Sequence, residues 1–149
     1  MRATLDANIL VYAADLDAGG RNAAAVRLLE RAAAGDVILL LQALGEFFHA
    51  ATRKKLATPA AARNLIEGWR SVFAVHAATS DCLGAAVALV ERDKLSYWDA
   101  MLCATALEAD CRYLLSEHLQ DGRQLGSLIV INPFFEANAG LMDRVLSPP

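Results

Sequence analysis

Three acidic residues, far apart along the chain, are the side chains best suited to chemistry. Asp6 closes a short apolar stretch, Arg2-Ala3-Thr4-Leu5, and Asn8 follows it. Glu46 lies just inside an apolar helical pattern. Asp99 opens another, in Ser96-Tyr97-Trp98-Asp99-Ala100. Each stands at the edge of an element that reads as buried, where an isolated carboxylate is costly. If the fold gathers them, their repulsion calls for a cation. Oxygen ligands around a divalent ion point to phosphodiester chemistry.

Each acid also has a plainer reading. Asp6 could cap the helix that follows it. Glu46, near a helix start, suits the helix dipole. Asp99 stands three residues after Ser96, as in a capping box, although Glu or Gln is the usual partner there. Yet Asp99 shares one helical face with Leu102, Cys103 and Ala106. An acid crowning such a stripe needs a partner.

Other residues could support such a site. In Leu114-Leu115-Ser116-Glu117-His118, Ser116 could hydrogen-bond a ligating carboxylate or a bound water. Glu117 is either a fourth acid or an exposed turn residue. His118 reads as a surface or supporting residue more than as a lone ligand. Asp121 fits the turn before Gly122. Arg53-Lys54-Lys55 ends the helix that Glu46 begins, on the order of 10 Å along its axis. That cluster would suit a phosphate backbone, or would simply complement the helix dipole. His49 and His76 show no ligand spacing. No Walker, G-x-G-x-x-G, G-x-S-x-G or H-E-x-x-H motif occurs.

The elements that must position these groups alternate between strand and helix. Strands are expected at about Arg2–Leu5, Val37–Leu41, Ser71–Val75, Tyr113–Leu115 and Leu128–Ile131. Val37–Leu41 is apolar throughout, as a strand covered on both faces would be. Asp6 or Asn8 could cap a short helix through Tyr12. Further helices are expected over Arg21–Ala34 and about Ala43–Leu56, and from Thr58-Pro59, where Thr suits the cap and Pro the first turn. Others follow from Ser80 or Asp81 to Arg92, from Ser96 to about Ala109, and over Ala137–Leu146. Gln120–Arg123 reads as a turn. Alternation of this kind implies an α/β fold with a mostly parallel sheet between helices. Sites in such sheets lie at the carboxyl ends of the strands.

Composition sets the bounds. At 149 residues the chain suits one domain, and 56% hydrophobic residues with 21% charged argue for a packed core. The net charge of −3 gives no global pull toward nucleic acid, so local basic clusters would have to supply it. Cys82, Cys103 and Cys111 lack metal-ligand spacing and read as core residues of a protein from a reducing cytoplasm. No signal peptide or membrane span is expected.

The combination is more specific than its members. Asp6-Ala7-Asn8, Glu46, Tyr97-Trp98-Asp99-Ala100 and Leu114-Leu115-Ser116-Glu117 together resemble the PIN-domain ribonucleases, and most of all the VapC-type toxins of toxin–antitoxin pairs. The resemblance spans Met1 to Phe134, with Glu117-His118-Leu119-Gln120-Asp121-Gly122 close to the family's wording. It implies one PIN-like domain over residues 1–149, a three-layer α/β/α sandwich around a mostly parallel sheet of about five strands. It implies Mg²⁺ or Mn²⁺ held by Asp6, Glu46 and Asp99, with Glu117 as a candidate further ligand. Asn8, Ser116 and His118 would support that site. It also implies an RNA substrate, a homodimer and a cognate antitoxin that covers the site. Many relatives carry a fourth acid, commonly Asp, where this chain has His118, which puts metal number and catalytic vigour in question.

The expectation is therefore an endoribonuclease that leaves a 5′-phosphate. The alternative is an RNA-binding module of the same fold with little or no turnover. A haloacid-dehalogenase-type phosphatase also opens on a strand-end Asp, but it wants a second Asp where Asn8 stands. A flap or 5′ nuclease normally needs more acids and a longer chain.

Overall fold

The computed structural model describes residues 1–149. In chain order the elements are β1 (Ala3–Leu5), α1 (Ala7–Ala14), α2 (Gly20–Ala32), β2 (Val37–Leu40), α3 (Leu41–Arg53), α4 (Pro59–Val72) and β3 (Val75–His76). Then follow α5 (Ser80–Asp93), α6 (Tyr97–Glu108), β4 (Tyr113–Leu115), β5 (Gln124–Leu125) and β6 (Leu128–Ile131). A 3₁₀ turn (Glu136–Asn138) leads into α7 (Ala139–Val145).

Six strands form one sheet in the order β3-β2-β1-β4-β6-β5. All neighbours are parallel except β5 and β6, which form an antiparallel hairpin. Alternate strand residues face opposite layers, as a pleated strand requires. Ala3, Leu5, Val37, Leu39, Tyr113 and Leu115 pack with apolar residues of α1, α2, α3, α4 and α7. Ile38, Leu40, Leu114 and Val130 face α5 and α6. The chain is thus a three-layer α/β/α sandwich, as the sequence led us to expect. Phe47, fully buried on α3, anchors the first layer, with Trp69 of α4 packed edge-on at 4.7 Å. No helix is long and apolar enough to cross a membrane.

Four local differences have physical causes. The third strand, expected over Ser71–Val75, shrinks to Val75–His76 because α4 runs on. The Phe73 N–H donates to the Trp69 carbonyl at 2.8 Å and the Ser71 hydroxyl to the Gly68 carbonyl at 2.6 Å. This keeps the segment helical until Phe73 is buried. Second, β2 turns directly into α3, so Leu41 starts a helix and is half exposed instead of ending a strand. Third, Thr79, not Ser80 or Asp81, precedes α5, and its hydroxyl bonds to Glu108 rather than capping. Fourth, the expected Gln120–Arg123 turn leads into the added strand β5, with Gly122 at φ +77° making the reversal.

This topology fixes where a site can be. The strand order reverses about β1, which lies between β2 and β4. In an open parallel sheet the crevice at such a reversal, outside the carboxyl ends of the strands, is where ligands bind. Both α1 and α3 leave strands at that edge. Helix α6 precedes β4, so it also begins there. Three helix N-termini therefore converge on one end of the sheet, and each favours negative charge.

Candidate active site

Asp6 is the N-cap of α1 and is 6% exposed. Its Oδ1 accepts from the Ala7 N–H at 2.7 Å, so the capping role is real. Its Oδ2 accepts from the Ser116 hydroxyl at 2.7 Å and from Asn8 Nδ2 at 3.3 Å. Burial pushes the Asp6 carboxyl above its ordinary range. The bonds from Ser116 and Ala7 pull against this, and the nearby Asp99 charge adds to it. Burial outweighs the donors, so this carboxyl keeps its proton more tightly than an ordinary Asp.

Ser116, fully buried just past β4, is the hub of this support. Besides donating to Asp6, its oxygen accepts from the backbone N–H groups of His118 at 3.1 Å and Leu119 at 3.2 Å. The turn after β4 is thereby folded around the same oxygen that orients Asp6. Asn8 Nδ2 stands 3.5 Å from it, too far to be more than a weak partner.

Glu46 reaches the same region from the second turn of α3. Its Oε1 accepts from Gln42 Nε2 at 2.9 Å, and that nitrogen also donates to the Trp98 carbonyl at 2.9 Å. Burial raises the Glu46 carboxyl, the Gln42 bond opposes this, and the charges of Asp6 and Asp99 raise it further. Asp99 sits in the first turn of α6, where its N–H donates to the Ser96 cap at 3.3 Å. His118 Nε2 lies 3.4 Å from Asp99 Oδ2.

Asp6, Asn8, Glu46, Asp99 and His118 line one cleft of about 530 Å³. Its wall continues over Val11, Tyr12 and Ala50 to Arg53 and Lys54 at the end of α3. Acids at one end and cations at the other make a surface that can accept a polyanion and a metal ion together. The acids share the cleft, but no three His, Cys, Asp or Glu side chains are drawn into a ready-made cage for an ion. The donors are nonetheless hard oxygens that repel one another. They fit a cation such as Mg²⁺, which keeps several waters and commonly takes only one or two carboxylates.

Glu117, the candidate further ligand, and Asp121 of the following turn lie elsewhere. Glu117 is outside the cleft lining: Arg21 grips both of its oxygens, with Nη2 to Oε1 at 2.8 Å and Nε to Oε2 at 3.3 Å. That pair holds the Glu117 carboxyl below its ordinary range. Arg21 also lies 4.5 Å over the Phe134 ring, so Glu117 ties the turn after β4 to α2. Asp121 accepts from the Asn132 N–H and from Asn138 Nδ2, and it serves the C-terminal turn. His49 lies beside the cleft rather than in it. Gln42 and Tyr12 were not anticipated. A glutamine four residues before Glu46 is the one sequence signal that could have flagged the first.

A protein-family model described as PIN domain matches residues 3–117. A comparison with curated proteins found no match. Among solved structures, a toxin–antitoxin complex from Klebsiella pneumoniae is 26% identical, with a TM-score of 0.64 over 89% of this chain and 98% of that one. Mycobacterium tuberculosis VapC20, described as a toxin that cleaves the sarcin–ricin loop, is 21% identical, with a TM-score of 0.62 over 75% and 86%. VapBC2 from Rickettsia felis, bound to a DNA fragment from its promoter, is 15% identical, with a TM-score of 0.63 over 87% and 97%. With the family match covering most of its length, the chain belongs to the PIN domain family.

Proposed function

We propose that this protein is a metal-dependent endoribonuclease and the toxin of a toxin–antitoxin pair. The observation that carries the proposal is the single cleft lined by Asp6, Glu46 and Asp99 with Arg53 and Lys54. The likeness to a toxin–antitoxin complex and to VapC20 supports it. So does the family.

In this reading Asp6, Glu46 and Asp99 would hold Mg²⁺ or Mn²⁺. When bound, such an ion acidifies a water and draws charge from a phosphate oxygen. The chain's own groups do the rest. Ser116, Asn8 and the Ala7 N–H aim the Asp6 carboxylate. Gln42 donates to Oε1 of Glu46 and so fixes a carboxylate that would also accept the proton of the attacking water. Glu46 suits that task, since its surroundings raise its proton affinity. His118 orients Asp99. Arg53 and Lys54 grip the phosphates beside the scissile one. The P–O3′ bond breaks as the water oxygen bonds to phosphorus, and the leaving 3′ oxygen takes a proton from solvent, which gives a 5′-phosphate and a 3′-hydroxyl. The protein works in the cytoplasm as a homodimer, and its antitoxin covers the cleft.

The test uses Asp6→Asn and Asp99→Asn, with folding checked by circular dichroism. Each should lose cleavage of RNA in Mg²⁺ or Mn²⁺, and EDTA should silence the wild type. Cleavage by both folded variants at the wild-type rate would end the proposal. Specific RNA binding with no metal-dependent cutting would favour a non-catalytic module instead.

A further inference from the structure

We propose that Trp98 is a stacking platform for a nucleobase of the RNA strand beside the scissile phosphate. The inference rests on the nuclease reading of the cleft and adds to it the element that holds the substrate's base.

The two tryptophans of the chain are used differently. Trp69 packs into the core against Phe47. Trp98 is 63% exposed and turns its indole to solvent. Its backbone is held in place: α6 begins at Tyr97, Ser96 caps it, and Gln42 clamps the Trp98 carbonyl. Tyr97 backs the indole edge-on at 5.0 Å and 71°. The result is an exposed aromatic face on an anchored backbone, backed by a second ring.

That plane borders a hollow of about 420 Å³ lined by Gln42, Gly45, Glu46, His49 and Trp98. Gly45 has no neighbour within 4 Å of the place its Cβ would take, so the floor is open. Apart from Glu46 its lining holds no carboxylate, lysine or arginine, so the indole face is the main contact it offers. Glu46 lines both this hollow and the acidic cleft, and forms the wall between them. Trp98 and Asp99 are consecutive on one helix, so their side chains diverge by about 100°. Asp99 lines the cleft and Trp98 the hollow. A nucleotide has the matching division: its phosphate would meet the acids while its base crosses the wall and lies on the indole. Aromatic stacking tolerates any base, which suits a position read by shape. A second copy of this chain is the rival cover for Trp98. It would seal the wall that Glu46 shares with the cleft, whereas a base leaves the backbone running through it.

The experiment uses the shortest RNA oligonucleotide that the wild type cleaves, with one abasic residue placed in turn at each position around the cut. Wild type should lose roughly five- to 150-fold in kcat/KM at one position. Trp98→Ala should lose a similar factor on intact RNA and show no further loss at that position, while Trp98→Phe should recover much of the activity. A second readout is quenching of indole fluorescence by a mixed-sequence single-stranded RNA in EDTA, expected in wild type and lost in Trp98→Ala. It reads stacking without cleavage, so quenching in EDTA by a protein that still cuts no RNA once Mg²⁺ or Mn²⁺ is supplied would sink the nuclease reading alone. If abasic positions cost wild type and Trp98→Ala equally, stacking on Trp98 is overturned. It is also overturned if quenching survives in Trp98→Ala, or if that variant turns from dimer to monomer on light scattering while its monomer cuts normally.

Discussion

Replacing Ser116 with alanine isolates the oxygen on which the site turns. In the folded protein that hydroxyl donates to Asp6 Oδ2 at 2.7 Å and accepts from two backbone N–H groups, those of His118 and Leu119. It is fully buried. A hydrogen bond to a charged group contributes about 1.5–3 kcal/mol, and each stranded buried donor costs about 1–3 kcal/mol. His118 is exposed, so water can reach part of that turn, and the expected loss is about 3 kcal/mol. That is a large share of the ~5–15 kcal/mol typical of a domain. Urea unfolding at neutral pH should show a lower midpoint with an unchanged slope. The pH dependence identifies the cause. Ser116 donates to ionised Asp6, so this part of its contribution is present when Asp6 is charged and lost as pH falls through the Asp6 folded pKa. Burial has moved that pKa above the usual carboxylate value. The gap between wild type and Ser116→Ala should therefore begin to narrow above the pH where an ordinary Asp takes its proton. A loss under about 1 kcal/mol, or a gap that stays constant through that range, would refute the assigned role.

Further expectations follow the same logic. Asp6→Asn should raise stability at neutral pH while removing cleavage: with a folded pKa above the unfolded one, the charged group weakens the fold as pH rises, and a thermal midpoint measured across pH checks this. Glu117→Gln should cost at most about 1 kcal/mol, since the Arg21 pair is partly exposed, and should leave the metal dependence of cleavage as it is; a shifted Mg²⁺ requirement would return Glu117 to the metal site. Lys54→Ala should weaken RNA binding most at low salt and flatten the log–log salt slope by about 0.7, as one lost single-strand phosphate contact predicts. Burial pushes the thiols of Cys103 and Cys111 up to about 12, so neither should react with a thiol reagent at pH 8 until the protein is unfolded in urea.

Much of this was legible in the sequence because local pattern and tertiary role coincide. The unbroken apolar run at Val37 announced a strand covered on both faces, and Asp6 follows β1 because a strand ending in a cap is a local event. The face shared by Asp99, Leu102 and Cys103 showed that the acid belongs at the rim of the core. What could not be read depends on distant partners. Glu117 looked available until Arg21, far back in α2, proved to hold both oxygens. His118 carried no spacing that would put it beside Asp99. The third strand was misplaced because Val72, Phe73 and Val75 have strand-like side chains, while the helix beneath Trp69 had packing enough to continue through them.

The bond between Ser116 and Asp6 joins residues 110 apart in the chain. No N-terminal fragment that stops short of β4 can complete the cleft, however well its first helices form. On the ribosome, Asp6 lacks this support until almost the whole domain has emerged. Whatever chemistry the cleft performs is thus withheld during synthesis and becomes available only when the last strands close.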